Sequence, residues 1–369
     1  MSNGADDLRI PQGAMEEAST TRPLPRPLAR LDAFQQQHRS VAVPLAVYKK
    51  FSDDDAGKLA SLVSYYAFLS VFPLLIVLAT ILSRLLAGHP EVATEIVTTA
   101  AGSFLSIGST GTVAPLDVSG LALVVAVVIG LWSGLAVANA MQDAMNTVYE
   151  VPKTERGGVV GRVLRSLSLL AIVGVGLPTT AVIQGLAFRA IPGPIPAVAI
   201  VVAAMVVNSA LIALAFRRST AAETTWRTVL PGAVIAAIAW SLMQALATSL
   251  LTQKVGGAES DYGPFAIVIG LLFWFFLLAQ VTIYCAELNV VLAYGLWPRS
   301  LKSIARGQAE TEADVRAYSH YPMREQQATN MEVTVALAHD DEGAAPTDST
   351  GRPSKSEGTD TPMGTDAPM

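Results

Sequence analysis

Six long apolar stretches constrain this chain more than any other feature of its 369 residues. A helix that crosses a bilayer needs about 20 mostly apolar residues, because the hydrocarbon is about 30 Å thick and each residue adds about 1.5 Å. None of the six carries Lys, Arg, Asp or Glu through its centre, where a charge costs about 2.5–3.5 kcal/mol. The sequence therefore predicts an all-α integral membrane protein with six transmembrane helices, rather than a soluble protein with buried helices. The predicted spans are residues 63–86, 119–141, 166–188, 195–216, 229–251 and 264–294.

The composition agrees with a membrane protein. Charged residues make up 15% of the chain, whereas soluble domains carry about 25%. All six stretches fall within residues 41–300, the predicted transmembrane domain. Residues 1–40 and the acidic residues 301–369 have the composition of disordered cytoplasmic segments. We expect residues 1–40 and 310–369 to be dispensable for insertion and folding. We also expect no cleavable signal peptide, because the first forty residues contain no apolar core.

Lysine and arginine are divided unevenly among the connections. Of the 25 in the chain, 22 precede the first stretch, follow the sixth, or lie in the second-to-third and fourth-to-fifth connections. The other three, Arg84, Arg189 and Lys254, belong to the opposite set of connections. Cytoplasmic loops carry the excess of positive charge. We therefore predict a multi-pass protein of the bacterial inner membrane with both termini in the cytoplasm.

Two further segments predict helices that flank the spans. Residues 44–58 are basic and partly apolar and lead into the first span, which is typical of an interfacial helix. Residues 90–104 begin with a proline and space their apolar residues in a helical rhythm, so we expect a helix on the outer surface. Between the third and fourth spans, a proline-rich segment predicts a tight hairpin.

Polar side chains inside apolar spans indicate where function resides, because they normally face a bundle interior or a wet cavity. Two sets each occupy one helix face. The second span ends with four of them, at offsets of 0, 3, 4 and 7 residues: Asn139, Gln142, Asp143 and Asn146. The sixth span carries three, at offsets of 0, 4 and 7: Gln280, Tyr284 and Glu287. The two faces form a candidate intramembrane polar site, although the first set is equally compatible with a helix end that emerges into the cytoplasm.

Glu287 raises the sharpest question, because it stands at the end of an otherwise apolar span. Either it pairs with a structural partner, such as an arginine from a cytoplasmic loop, or it points inward toward the second span. In the second case Asn139, Gln142 and Asp143 are its predicted neighbours. Two carboxylates in a low-dielectric site cannot both ionise cheaply, so one would hold a proton or recruit Arg156 or Arg162.

Other polar residues have simpler interpretations. Glu259 and Asp261 precede the sixth span in a glycine-containing outer loop, where we expect them to be solvated. Pro264 suits the first position of the helix that follows. Asn208 and Gln244 are isolated within their spans and are expected to form hydrogen bonds between helices.

Three motifs in the first, second and last spans share one resemblance. The first, SYYAFLSVFPLL, contains Tyr65, Tyr66, Ser70 and Pro73. The second, LWS, contains Trp132 and precedes Gln142, Asn146 and Tyr149. The third contains Tyr262, Gly263, Trp274 and the run CAELN that ends at Asn289. In this order, between about residues 48 and 299, they resemble the BrkB/YihY family of bacterial inner-membrane proteins. Cys285 stands where that family usually has glycine, a small-for-small difference.

The resemblance implies a six-helix inner-membrane protein with a role in envelope integrity, for which lipid movement has been proposed. The family also carries an old ribonuclease label, which the residues argue against. The four histidines, at 38, 89, 320 and 339, are too scattered for a zinc site, and the single cysteine adds no ligand. No basic surface with aromatic residues indicates RNA binding.

We therefore expect no enzyme activity, no metal, no cofactor and no nucleic acid. Two functions stay open: a transporter or lipid-handling protein, acting on a lipid or small molecule in the bilayer, and a non-transporting envelope scaffold. A shared interior volume for Asn139, Asp143, Gln280 and Glu287 would favour the first. Separate contacts would favour the second. The oligomeric state is left open.

Overall fold

The chain is helical throughout the part that the structure describes. This computed structural model describes residues 26–85, 120–191, 193–254, 263–301 and 311–325. Its α-helices are α1 (Arg26–Gln37), α2 (Arg39–Asp53), α3 (Ala56–Leu85), α4 (Gly120–Val148), α5 (Val159–Ala171), α6 (Leu177–Ala190), α7 (Pro194–Ser219), α8 (Trp226–Lys254), α9 (Gly263–Tyr294) and α10 (Glu312–Arg324). The predicted all-α class agrees with these residues, among which there is no strand.

Four segments are long and apolar enough to cross a membrane within the described ranges. They are Val159–Gly176, Pro194–Ser219, Trp226–Leu246 and Val268–Tyr294, and they overlap the last four predicted spans. The first and second predicted spans fall on α3 and α4, helices of 30 and 29 residues. Large apolar side chains on these helices stay exposed, Trp132 of α4 and Ile195 of α7 to 78% and 83%. Such outward apolar faces are expected of helices that contact lipid.

The third predicted span is a composite element. A π-helical turn, Ile172–Gly176, joins α5 to α6, so that the helical run extends from residue 159 to residue 190. It begins earlier than predicted because Arg162 and Arg165, which marked the edge of the apolar stretch, find partners within the protein. The predicted tight connection to α7 is confirmed: α6 ends at Ala190 and α7 begins at Pro194. Gly193 adopts a φ of 134°, a backbone conformation that disfavours any residue with a Cβ.

The buried core gathers where α2 meets the ends of the long helices. α9 contacts α2, α3, α4 and α8, and is the centre of the packing. Many core side chains are alanine, among them Ala46, Ala60, Ala144, Ala233 and Ala286, each no more than 1% exposed. Small residues let helix backbones approach closely. Helices in a bilayer associate through such close packing, because lipid is as apolar as their side chains and burial against another helix brings no hydrophobic gain.

Of the two helices predicted to flank the spans, the structure describes the one before the first span. An interfacial helix was expected over residues 44–58, and α2 covers residues 39–53, with Pro44 inside it. The outer helix expected over 90–104 and the acidic loop with Glu259 and Asp261 lie outside the described residues.

Each of the two terminal segments that composition predicts to be disordered contains a helix among its described residues. α1 lies within residues 1–40, and α10 lies within residues 301–369. Asp32 and Gln35 of α1 are buried, as are Ala313, Asp314 and Ala317 of α10. Composition pointed to disorder because both helices are polar overall. Ion pairs and hydrogen bonds, which hydropathy does not count, attach them to the rest of the protein.

Candidate functional site: a buried charge cluster

Lys50 is a fully buried cation at the end of α2. Its ammonium donates to Asp54 Oδ2 at 2.6 Å and to the Val148 carbonyl at 3.0 Å. Its Nζ lies 3.2 Å from Glu150 Oε1 and 3.3 Å from Glu287 Oε2. All four side chains are at most 2% exposed. We call Lys50, Asp54, Glu150 and Glu287 the charge cluster.

Helix ends place the members of the charge cluster. Lys50 and Asp54 are one turn apart, where α2 stops and the chain turns into α3. Glu150 follows the last turn of α4 with a φ of 57°, the left-handed conformation that usually selects glycine at a helix C-terminus. The Val151 amide bonds back to the Asn146 carbonyl and closes that turn. A glutamate at a position that favours glycine indicates that its carboxylate is retained for the cluster.

More acceptors surround Lys50 than it has hydrogens. An ammonium donates three hydrogen bonds. Asp54 and the Val148 carbonyl take two of them at short distances, which leaves one for both Glu150 and Glu287. The carboxylates of Glu150 and Glu287 lie at nearly equal distances, 3.2 and 3.3 Å, from Lys50 Nζ, and none of their four oxygens has a hydrogen-bond partner among the described residues.

The cluster's electrostatics follow from burial and proximity. Burial acts to lower the pKa of Lys50, but the carboxylates of Glu287, Asp54 and Glu150 outweigh it and raise that pKa well above its usual value. Lys50 is therefore charged at all physiological pH values. Burial raises the pKa of Glu150, although Lys50 acts in the opposite direction. The site thus favours a permanent cation beside a carboxylate that takes up a proton more readily than usual.

α10 brings two further basic side chains to the cluster. Arg324 donates from Nη1 to Asp54 Oδ1 at 2.8 Å, and Nδ1 of His320 lies 3.5 Å from Glu150 Oε2. With the three carboxylates ionised, Lys50 and Arg324 leave one formal negative charge, which a proton on one of the carboxylates would neutralise.

A second buried network ties α10 to α2 and to the segment after α9. Asp314 accepts hydrogen bonds from Lys49 Nζ at 2.8 Å, and from Arg299 Nε and the Ser300 amide, each at 3.0 Å. Burial acts to raise the pKa of Asp314, but these hydrogen bonds outweigh it and lower the pKa to about 2. Arg299 also pairs with Asp53 at 3.0 Å. α10 is therefore fixed at both of its ends.

The polar face of α4 contacts α5 and the connection after α7, not α9. The Asn139 side-chain oxygen accepts from Arg162 Nε at 3.2 Å and from the Ser166 hydroxyl at 2.9 Å. Asp143 pairs with Arg162, and Gln142 donates to the Ser166 hydroxyl. Asn146 accepts from the Ala221 amide at 2.8 Å.

The predicted neighbours of Glu287 are therefore corrected. Glu287 is inward-pointing and fully buried as expected, but it meets Lys50, Asp54 and Glu150 instead of Asn139, Gln142 and Asp143. Asp143 pairs with Arg162, but both side chains are more than two-fifths exposed, so the pair does not arise from a buried site shared with Glu287. α2 inserts Lys50 between the ends of α4 and α9, and the cation draws Glu287 toward it. Lys50 is a structural partner of the predicted kind, although a lysine from a helix rather than an arginine from a loop.

Comparison with known proteins decides the family. The sequence model of a family described as "Virulence factor BrkB" matches residues 47–306. The chain belongs to the BrkB family. No curated protein and no solved structure matches it. The BrkB match begins just before the charge cluster and includes Lys50, Asp54, Glu150 and Glu287, whereas α10, with His320 and Arg324, lies beyond it.

The BrkB motif residues occupy several different environments. Tyr65 is 53% exposed and Trp132 faces outward. Tyr66 is half-buried, and α3 continues through Pro73. Ser70 donates to the Ala67 carbonyl within α3. Gly263 begins α9, one residue before the predicted start, and Tyr262 lies outside the described residues. Of the α9 polar face, Gln280 is half-buried and Tyr284 stacks on Phe51 with ring centroids 3.8 Å apart.

Asn289, at the end of the CAELN motif, joins three elements. Its side-chain oxygen accepts from the Gly232 amide of α8 at 2.7 Å, and its amide lies 3.4 Å from the Tyr149 hydroxyl. A Cβ on Gly232 would stand 2.1 Å from the Cys285 carbonyl. α8 and α9 therefore meet backbone to backbone, and the small Cys285 in place of the BrkB family's usual glycine is compatible with this contact.

Sequence reasoning missed Lys50, Asp54 and Glu150 as functional residues. All three lie outside the apolar spans, and Lys50 was read only as one of the basic residues that orient the protein. Its signal was present: Tyr48-Lys49-Lys50-Phe51 carries two lysines within an apolar run of α2, where one face must be buried.

Proposed function

We propose that this BrkB-family chain is a six-span inner-membrane protein with cytoplasmic termini, and that it acts as a proton-linked transporter or lipid-handling protein. α3 and α4 supply the two spans beyond the four already named. The charge cluster supplies the coupling site, at the cytoplasmic ends of the spans. No enzyme activity, metal or cofactor forms part of this proposal.

The observation that carries the proposal is the shortage of hydrogens on Lys50. A structural ion pair needs one acid for each base, and buried ion pairs contribute little net stability. Here Glu150 and Glu287 compete for the third ammonium hydrogen, so one of them gains by holding a proton. Moving that proton, or moving Lys50 from one carboxylate to the other, alters the contact between α2 and the ends of α4 and α9. Buried ionisable residues at such positions mark proton relays and substrate pathways.

The scaffold remains the second candidate, and a specific observation favours it. Asn139 and Asp143 are bound to α5, while Glu287 is bound to Lys50, so the predicted polar residues do not share one volume. In a scaffold, the charge cluster would serve only to fasten α2, α4, α9 and α10 together.

Reconstitution separates the two candidates. The purified chain would be placed in lipid vesicles with fluorescently labelled lipids, and their movement between leaflets would be recorded with and without a pH gradient. We expect the wild-type protein to move the labelled lipids at a rate that depends on the pH gradient. In Glu287→Gln, we expect that rate to be independent of the gradient. Asp143→Asn is the matched control, because its pair with Arg162 is about two-fifths exposed on the same side of the membrane. Absence of gradient-dependent movement of lipids and of a panel of small anions in the wild type would support the scaffold.

A further inference from the structure

A polar cavity lies within the apolar belt, away from the charge cluster. It has a volume of about 280 Å³ and lies between α6, α7 and α8. Four of its lining side chains are polar: Gln184 of α6, Asn208 of α7, and Ser241 and Gln244 of α8. Asn208 and Gln244 are isolated in the sequence and are predicted to form hydrogen bonds between helices. Asn208 does so, with Thr180 of α6, and the structure also brings Asn208 and Gln244 to one cavity with two further polar side chains.

The cavity lies beside the middle of α7, a helix that is long and apolar enough to cross a membrane. Asn208 follows the start of α7 at Pro194 by 14 residues and precedes its end at Ser219 by 11. At about 1.5 Å per residue, it lies roughly 21 Å from one end and roughly 16 Å from the other. Polar groups at this depth are expensive unless they line a site or hydrogen-bond to a partner. The Thr180 hydroxyl donates one hydrogen bond to the side-chain oxygen of Asn208, at 2.6 Å.

The lining chemistry restricts the ligand. None of the residues that line the cavity is ionisable, so a phosphate or an ammonium would be buried there without a counter-charge. Amide and hydroxyl groups both donate and accept hydrogen bonds, which matches ligand hydroxyls that do the same. The cavity is just smaller than the roughly 300–1,000 Å³ of sites that enclose drug-sized molecules. It therefore suits a headgroup rather than a whole lipid.

The way into the cavity is lateral. Ser241 and Gln244 are exposed on α8 and lie beside Leu242 and Leu246, apolar side chains that are 59% and 52% exposed. A ligand from water would have to reach a depth of about 16 Å, whereas a lipid already in the bilayer would enter from the side.

We propose that this cavity binds the uncharged, hydroxyl-bearing headgroup of a membrane lipid. Asn208 and Gln184 hold the hydroxyls, and the apolar flank of α8 accommodates the acyl chains. Lipid binding in this cavity requires no transport, so it can be tested independently of the proposed coupling at Lys50.

Equilibrium binding to the full chain in lipid nanodiscs tests the proposal. Three probes are compared: a monoglucosyl diacylglycerol, phosphatidic acid with the same acyl chains, and free glucose. We expect saturable binding of the glycolipid, reduced at least tenfold in Asn208→Leu and in Gln184→Leu. Val128→Leu, at a position of α4 that is 57% exposed and does not line the cavity, is the control and should bind as wild type. A benzophenone at position 245, which lines the cavity, should crosslink to the glycolipid in a chain with Asn208 and Gln184 unchanged. This result does not depend on whether either leucine variant folds.

Several outcomes would overturn the inference. Phosphatidic acid that competes for the same crosslink with equal strength would show that charge is not excluded. Binding of free glucose as tight as that of the glycolipid would identify a solute site instead of a lipid site. A change from dimer to monomer in Asn208→Leu, with glycolipid binding unchanged, would identify the cavity as a contact with a second copy of this chain.

Discussion

Lys50 holds the charge cluster together, and its removal is the most informative single change. Lys50→Met leaves three buried carboxylates without their central cation, and breaking a buried pair in this way costs about 3–5 kcal/mol. Glu287→Gln removes one of the competing carboxylates and should be tolerated far better. Thermal unfolding in detergent, followed by size-exclusion chromatography, would show a large decrease in unfolding temperature for Lys50→Met and a small change in that temperature for Glu287→Gln.

Lys58 provides the control for that comparison. It pairs with Asp55 on the surface, where the two side chains are 78% and 67% exposed. Exposed pairs contribute little, so Lys58→Met should unfold as wild type. Equal losses for Lys50→Met and Glu287→Gln would contradict the competition for the third ammonium hydrogen.

Gly232 tests the close approach of α8 to α9. Gly232→Ala places a methyl group 2.1 Å from the Cys285 carbonyl and 2.6 Å from Asn289 Oδ1, so the two helices must separate. Overpacking of this kind costs about 1–3 kcal/mol or more. Gly185→Ala in α6 is the matched control, because a Cβ there meets nothing within 4 Å. If both variants accumulate and unfold alike, the helices do not meet as described.

Among the elements, α10 is the one that the sequence described least well. Its low hydropathy and acidic surroundings predicted disorder, yet Asp314 and Arg324 fix it to α2. We expect a chain that stops after residue 310 to lose stability, because Lys49 and Arg299 lose both their hydrogen bonds to Asp314 and the contact with α10. A chain that stops after Val333, where the compact unit ends, should unfold as the full chain does. Comparable unfolding temperatures for the two truncations would restore the original expectation that residues 310–369 are dispensable.

The attachment of α10 should also depend on pH. The folded pKa of Asp314 is about 2, below its ordinary 3.8, so its ionised form is favoured by folding. Its contribution to stability is fully present above the unfolded pKa and is lost as the pH falls from about 4 toward 2. Limited proteolysis of the tail across this range should show release of α10 in acid. Asp314→Asn should release α10 at neutral pH and flatten the profile, and a wild-type profile in that variant would argue against this role.

The helical elements were predictable to the extent that they face lipid. Apolar runs of about 20 residues identified the spans, because hydrocarbon imposes length and composition on whatever crosses it. The partner of Glu287 was not predictable by the same reasoning. Lys50 lies outside every span, and its burial arises from the packing of α2 against α9, a tertiary contact that no local pattern encodes. The turn at Glu150 was also hidden, because a glutamate stands where a glycine would have marked it.

For the whole molecule, the distribution of basic residues predicts the topology. Twenty-two of the 25 lysines and arginines fall on one side of the six predicted spans, and such a bias orients membrane proteins. A reporter fused after residue 369 should therefore behave as cytoplasmic, and one inserted between residues 255 and 262 as periplasmic. The opposite pattern would invert the assignment and place the charge cluster at the outer face.

The position of α10 along the chain gives the charge cluster an order of assembly. Arg324 and His320 are synthesised after every predicted span and lie beyond the region matched by the BrkB family. A nascent chain that has inserted all of its spans still lacks the two side chains that reach Asp54 and Glu150 from α10. Until α10 is synthesised, Lys50 faces the three carboxylates of the charge cluster without Arg324. Among the described helices, α10 is therefore the last one that can contact the charge cluster during synthesis.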